Sequence, residues 1–96
     1  MESGDVYLAD VGHERRVHVV VLSNGEYNRR AGRVVVAPRL DGPPDAVPSP
    51  WRVIDGQQVY AVDFLLSLAA SRLLEPVGRV SDPALRRIRQ VLRRIT

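Results

Sequence analysis

Val19-Val20-Val21-Leu22, at the centre of the segment RVHVVVLS in residues 16–23, decides the fold of this chain. Four consecutive apolar residues, three of them β-branched, favour a strand that is buried on both of its faces. A second run of this kind, Val34-Val35-Val36-Ala37, predicts another strand over residues 33–40, and Pro38 indicates that this strand ends near an edge or a bulge. The two runs predict a sheet at the centre of the molecule.

Shorter strand patterns lie on either side of these runs. Residues 4–11 alternate between two faces and predict a first strand. Residues 51–62 predict a hairpin that turns at Asp55-Gly56. Residues 63–68 either extend that strand or begin a short helix, and residues 72–80 predict one more short strand.

Two connections are predicted to be irregular. Asn24-Gly25 ends the central strand, and the polar residues up to Gly32 predict a loop with room for one helical turn. Residues 41–50 contain four prolines, which lack an amide donor and fix φ. We expect an ordered but irregular loop there.

The C-terminal segment predicts a helix. Ser81 can cap its first turn, Asp82 favours the positive end of the helix dipole, and Pro83 is tolerated at the first helical positions. Apolar residues then recur on one helical stripe, with arginines on the remaining surface; they are Leu85, Ile88, Val91, Leu92 and Ile95. The sequence thus predicts a mainly β fold with a C-terminal helix, as a small, partly open barrel whose mouth the helix covers.

Length and composition restrict the function. Ninety-six residues make one small domain, and 45% hydrophobic with 26% charged residues predicts a folded chain. The absence of cysteine excludes disulfides, thiolate zinc sites and cysteine nucleophiles, and His13 and His18 cannot alone enclose a metal. No apolar run approaches the roughly 20 residues that span a bilayer, and the polar N-terminus is unlike a signal peptide. We expect a soluble cytoplasmic domain without a cofactor, and its small core favours a dimer.

The positive charge is unevenly distributed. All 14 basic residues are arginine, and the formal net charge is +3. Residues 82–96 hold five arginines and one acid, whereas the rest of the chain has one more acid than it has arginines. Arginine grips phosphate with a planar fork of donors, so the balance fits a nucleic acid or an acidic protein partner. A genome rich in arginine codons explains the same composition.

Four segments in this order resemble the MazF/PemK (Kid) family of toxins, within the MazF/CcdB superfamily. They are Gly4-Asp5-Val6-Tyr7 with Asp10; the run VVVLSN at 19–24 with Tyr27-Asn28; VVVAP at 34–38; and RLLEPVGRVS at 72–81 before the final helix. The resemblance covers residues 4–95 and implies one toxin domain over residues 1–96, folded as an SH3-like β-barrel. It also implies a homodimer, a cognate acidic antitoxin in a type II toxin–antitoxin system, and metal-independent cleavage of single-stranded RNA at short sequences.

The resemblance also implies catalytic residues. Cleavage begins with attack of a ribose 2′-hydroxyl on the adjacent phosphate, which needs a base, an acid and a cation. His13, in Gly12-His13-Glu14, matches a histidine near the scissile phosphate. Asp63 matches the base, and Arg16, shifted by one residue, matches the arginine that stabilises the phosphate. The alternatives are a solvated turn for His13, a turn or helix cap for Asp63, and a surface ion pair for Arg16.

Further residues are predicted to bind RNA by stacking and phosphate contacts. They are Arg15, Asn24, Tyr27, Asn28, Arg29, Arg30 and Arg39. A solvated loop is the alternative for those between residues 24 and 33. Alternation along a strand directs Arg39 to the face opposite its neighbour Leu40 unless the strand bulges.

Two positions depart from the family pattern. Leu40 stands where the family has a threonine or serine, and Ala61 stands where the PemK branch has an arginine. These departures keep two alternatives open, namely a catalytically altered homologue that binds RNA or an antitoxin without cutting, and a CcdB-like poison of DNA gyrase. The chain ends Arg94-Ile95-Thr96, which lacks the C-terminal tryptophan on which the CcdB branch depends.

Overall fold

A computed structural model describes residues 1–41 and 49–96 of the chain. Within these residues there are seven strands, two α-helices and a single 3-10 turn at Ala70–Arg72. The strands are β1 (Asp5–Gly12), β2 (Arg15–Val21), β3 (Arg33–Leu40), β4 (Arg52–Asp55), β5 (Gln58–Ala61), β6 (Leu66–Ala69) and β7 (Leu73–Arg79). The helices are α1 (Gly25–Ala31) and α2 (Asp82–Ile95).

The strands form one antiparallel sheet in the order β4-β5-β3-β2-β1-β7, with β6 paired to the first half of β3. Among the described strands, β4 and β7 end this sheet, so the barrel is open. The mainly β fold with a C-terminal helix is confirmed. The predicted hairpin at residues 51–62 is present as β4 and β5, whose register pairs Asp55 with Gln58.

The two faces of strand β2 pack into two different apolar cores, as its uninterrupted valines predict. Val19, Val20 and Val21 are all inaccessible to solvent. Val20 belongs to the helix-side core, in which α2 packs on the sheet through buried Ala84, Leu85, Ile88 and Val91. Val19 and Val21 belong to the groove-side core on the opposite face, together with Ala9, Val34 and Val36.

Helix α2 begins where the sequence predicts. The Ser81 hydroxyl accepts a hydrogen bond from the Ala84 amide at 3.2 Å. The Asp55 carboxylate in turn accepts from the Ser81 amide and hydroxyl, each at 2.8 Å. The cap therefore also ties the helix to the end of β4. No helix in the described parts of the chain is long and apolar enough to cross a membrane.

Gly25–Ala31 form a helix, so the prediction of a loop with one turn was wrong. The Asn24 side chain caps α1 by accepting from the Tyr27 amide at 2.9 Å. Gly32 ends the helix with φ 63°, and its amide donates to the Asn28 carbonyl at 3.1 Å. A seven-residue helix has no room for a long apolar stripe, so its caps and a tertiary contact at Asn28 stabilise it.

Other boundaries differ by a few residues. The segment 63–68, left open between strand and helix, is a turn followed by β6. Its turn closes through a hydrogen bond from the Phe64 amide to the Ala61 carbonyl at 3.0 Å. Three of the four prolines of the predicted 41–50 loop lie outside the described residues.

Candidate functional site

The turn between β1 and β2 holds two side chains in an uncommon backbone conformation. His13 has φ 53° and Glu14 has φ 60°. Positive φ at both central residues is the signature of a type I′ hairpin turn, which glycine and asparagine favour. A histidine and a glutamate there carry backbone strain of a kind that clusters at functional sites.

A bulge interrupts β1 just before this turn. Asp10 pairs with Arg16 and Gly12 with Arg15, so Val11 is an extra residue on β1. The Asp10 carboxylate accepts from the Gly12 amide at 2.8 Å and holds the bulge. Because neighbouring residues of a strand face opposite ways, Arg15 and Arg16 lie on different faces of β2.

Arg15 lies in a groove of about 400 Å³ beside the groove-side core. The groove is bounded by Val11, Arg15 and Val17 of the hairpin, by the end of β3, and by Phe64 and Leu66. Arg16, which the sequence analysis assigned to this site, lies on the other face of β2. Arg15 and Arg39 are the two arginines that line this groove. The phosphate-binding role assigned to Arg16 stays a prediction.

Asp63 lies in the turn that follows β5, immediately before Phe64, which lines the groove. The Arg52 guanidinium binds its carboxylate, with Nη1 and Oδ1 3.1 Å apart. The Asp63 side chain is 38% exposed, so the carboxylate is in contact with solvent. Arg52 was missed by the sequence analysis, because the cross-strand position that carries it is not visible before the β4–β5 register is known.

Arg39 borders the groove, but its guanidinium group is engaged elsewhere. Nη2 of Arg39 lies 2.8 Å from Nδ1 of His18. Arginine can only donate, so Nδ1 of His18 accepts in this contact. Arg39 also pairs with Tyr60 across β3 and β5, with Tyr60 inside the helix-side core. Arg39 therefore lies on the same face as Tyr60, as the alternation of side chains along β3 predicts.

Tyr60 is buried beside this arginine. Loss of hydration on burial raises the pKa of the Tyr60 phenol above its usual value of about 10, and this effect exceeds the opposing one of the Arg39 charge. Asp55 raises the pKa further. At neutral pH the phenol is therefore neutral and contributes to the core.

The predicted RNA-binding residues of α1 are not brought to the groove. Asn24 caps the helix, and Asn28 is 4% exposed, with its amide nitrogen donating to the carbonyls of Met1 and Ser23. Asn28 is thus structural and closed to RNA, contrary to the prediction. Tyr27 and Arg30 instead line a shallow depression on α1, next to the first residue of β3.

The groove lies at the other end of β3. The residues of β3 that line the groove are Pro38, Arg39 and Leu40, and its remaining lining residues come from outside α1. Arg29 forms an exposed ion pair with Glu2, and Arg30 forms one with Glu26. Within residues 1–41 and 49–96, no three His, Asp or Glu side chains gather as metal ligands.

Comparison with known proteins identifies what the chain is similar to. A family profile described as PemK-like, MazF-like toxin of type II toxin–antitoxin system matches residues 2–96. No curated protein sequence matches the chain.

Three solved structures illustrate the similarity. An endoribonuclease in complex with its cognate antitoxin, from a mycobacterial species, has a TM-score of 0.85 at 22% identity, covering 96% of this chain and 90% of that one. MazE–MazF from Deinococcus radiodurans (form II) has a TM-score of 0.83 at 22% identity, covering 99% and 93%. MazF alone from the same organism has a TM-score of 0.76 at 25% identity, covering 98% and 93%.

Proposed function

Because the chain belongs to the PemK-like, MazF-like toxin family of type II toxin–antitoxin systems, we propose that it is a metal-independent endoribonuclease that cleaves single-stranded RNA. One observation carries this proposal. Arg15 and Phe64 both line the groove, and Asp63 immediately precedes Phe64 in the chain. A cation in the groove and a carboxylate one residue from its lining suit the cleavage of a phosphodiester by the 2′-hydroxyl of the adjacent ribose.

The proposed reaction transfers two protons. The Asp63 carboxylate removes the proton of a ribose 2′-hydroxyl, whose oxygen forms a bond to the adjacent phosphorus. The bond from phosphorus to the 5′-oxygen breaks, and His13, which lies two residues from Arg15, gives that oxygen its proton. Arg15 balances the negative charge that develops on the phosphoryl oxygens. The products are a 2′,3′-cyclic phosphate and a 5′-hydroxyl.

Further parts of the proposal concern partners. The solved relatives include complexes of a MazF toxin and of an endoribonuclease with antitoxins. We propose a cognate acidic antitoxin, a homodimer in solution and a cytoplasmic location. The net charge of +3 and the arginine-rich α2 favour an acidic partner. Growth arrest on expression, relieved by a small acidic protein encoded next to the gene, tests the pairing.

The decisive test is cleavage of a long single-stranded RNA in EDTA by the wild type and by Asp63→Ala. General base catalysis contributes about 10²- to 10⁴-fold, so we expect Asp63→Ala to lose at least 100-fold in rate. It should still bind an RNA whose 2′-hydroxyls are replaced by hydrogen. Glu75→Gln, which neutralises an exposed carboxylate on β7, is the matched control.

Two outcomes would contradict the proposal. Intact RNA at high concentrations of the wild type would exclude the nuclease. Tight RNA binding without products would instead support the catalytically altered homologue to which Leu40 and Ala61 point. Wild-type activity in Asp63→Ala would remove Asp63 from the reaction.

A further inference from the structure

Arg52 is fixed next to Asp63 by backbone pairing. Arg52 in β4 pairs directly with Ala61 in β5, two residues before Asp63. The Val62 amide donates to the Trp51 carbonyl at 3.1 Å, which ties the turn carrying Asp63 to the residue preceding Arg52. Trp51 itself packs against the helix-side core. The separation of the guanidinium and the carboxylate is therefore determined by two strands and not by flexible side chains alone.

The burial of Arg52 distinguishes its ion pair from those on the open surface. The Arg52 side chain is 25% exposed, whereas the exposed pair of Arg29 and Glu2 has 73% and 59%. Nε of Arg52 is buried and has no hydrogen-bond partner among the described residues. A buried donor without a partner costs folding free energy. The guanidinium group offsets this cost through its contact with Asp63 at the opposite end of the group.

Among residues 1–41 and 49–96, the hydrogen bond to the Asp63 carboxylate is made to one of its two oxygens. Nη1 of Arg52 binds Oδ1, which orients the carboxylate plane and leaves Oδ2 to accept a proton. We propose that Arg52 is a positioning residue that holds the Asp63 carboxylate ready to act as a base, an inference that rests on the proposed nuclease function. Arg52 does not touch the RNA. It acts only through Asp63.

The β4–β5 register offers a test that separates position from charge. Side chains paired across antiparallel strands have Cβ atoms about 4.5–5.5 Å apart. Ala61 is 1% exposed in the wild type, and truncation of Arg52 opens the space beside it. An arginine placed at residue 61 of an Arg52→Ala chain can therefore present its guanidinium group at the same location, from the opposite strand.

The experiment measures kcat and KM for one RNA, and the Kd for its uncleavable 2′-deoxy analogue. The variants are Arg52→Gln, Arg52→Lys and the double variant Arg52→Ala/Ala61→Arg. Arg86→Gln, which removes one exposed charge from α2, is the control. We expect Arg52→Gln to lower kcat at least tenfold while KM and Kd stay within twofold. Arg52→Lys should be intermediate, and the double variant should recover to within about threefold of the wild type.

The outcomes separate action of Arg52 through Asp63 from other roles of this arginine. A wild-type kcat in Arg52→Gln overturns the inference, and so does a higher Kd with an unchanged kcat, since either shows that Arg52 does not act through Asp63. If Arg52→Gln does not fold, a folded double variant that is as inactive as Asp63→Ala overturns it equally. Absence of cleavage by the wild type overturns the proposed function and this inference together. Cleavage by the wild type and by Arg52→Gln alike overturns this inference alone.

Discussion

Replacement of Asn28 should destabilise the fold far more than its position on a short surface helix suggests. Its amide nitrogen donates to the Met1 carbonyl at 2.9 Å and to the Ser23 carbonyl at 3.2 Å, while its oxygen accepts from the Ser23 hydroxyl. Each such bond contributes about 1 kcal/mol net, and the partners are partly buried. We expect Asn28→Ala to lose about 2–3 kcal/mol of unfolding free energy.

This loss converts into a large thermal shift. A domain of this length loses about 4–8 °C for each kcal/mol, so the midpoint should fall by roughly 10–20 °C. Thermal and urea unfolding at one fixed protein concentration measures it, because association makes the midpoint concentration-dependent. Arg29→Ala, on the same helix, is the control. Its ion pair with Glu2 is exposed, and its removal should cost less than about 1 kcal/mol.

A second variant separates hydrogen bonding from packing. Asn28→Asp keeps the size of the side chain but places a carboxylate oxygen against the carbonyls of Met1 and Ser23, where the amide donated before. It should be at least as unstable as Asn28→Ala at neutral pH. A wild-type midpoint in both variants would refute the assignment of Asn28 as a tertiary anchor. Loss of RNA affinity in a variant with wild-type stability would restore its predicted role in binding.

Two further changes test strain and burial. Glu14→Gly should relieve the left-handed backbone cost of about 1–2 kcal/mol, less the extra entropy of an unfolded glycine, and so raise the midpoint by a few degrees; a lower midpoint in thermal unfolding would contradict it. Burial raises the pKa of the Tyr60 phenol in the folded state, so at high pH the unfolded chain ionises first. The contribution of the neutral phenol to the free energy of unfolding is therefore fully present below pH 10 and is lost as the pH rises above 10. Tyr60→Phe should flatten that fall in urea midpoints between pH 8 and 11, and equal slopes in both proteins would argue against a buried phenol.

The sequence predicted the elements that apolar periodicity determines. The valine runs indicated β2 and β3, and the stripe from Leu85 to Ile95 indicated α2. It did not predict α1, because seven residues cannot show an apolar period and its stability comes from caps and from Asn28. Asn24 before the helix and Gly32 after it were the available signals, and both were interpreted as marks of a loop.

The candidate site was predicted less completely than the fold. Arg15 lines the groove because it shares a face of β2 with Val17 and Val19, whereas the family resemblance pointed to its neighbour Arg16. Arg52 was missed for a related reason, because its proximity to Asp63 arises from strand pairing. Asp63 was predicted from the resemblance to the family, in which an acidic residue follows this strand, and its role as a base stays a prediction.

The pairing of Arg52 with Ala61 has a consequence for the comparison of related chains. The two residues are about nine columns apart in any alignment, yet they are direct neighbours across β4 and β5. During divergence, an arginine can therefore be lost from one strand and gained at the paired position of the neighbouring strand. An alignment column that contains only the first position then shows the arginine as lost. Surveys that sort homologues into active and inactive by single columns will misclassify such chains, and columns grouped by strand register will classify them correctly.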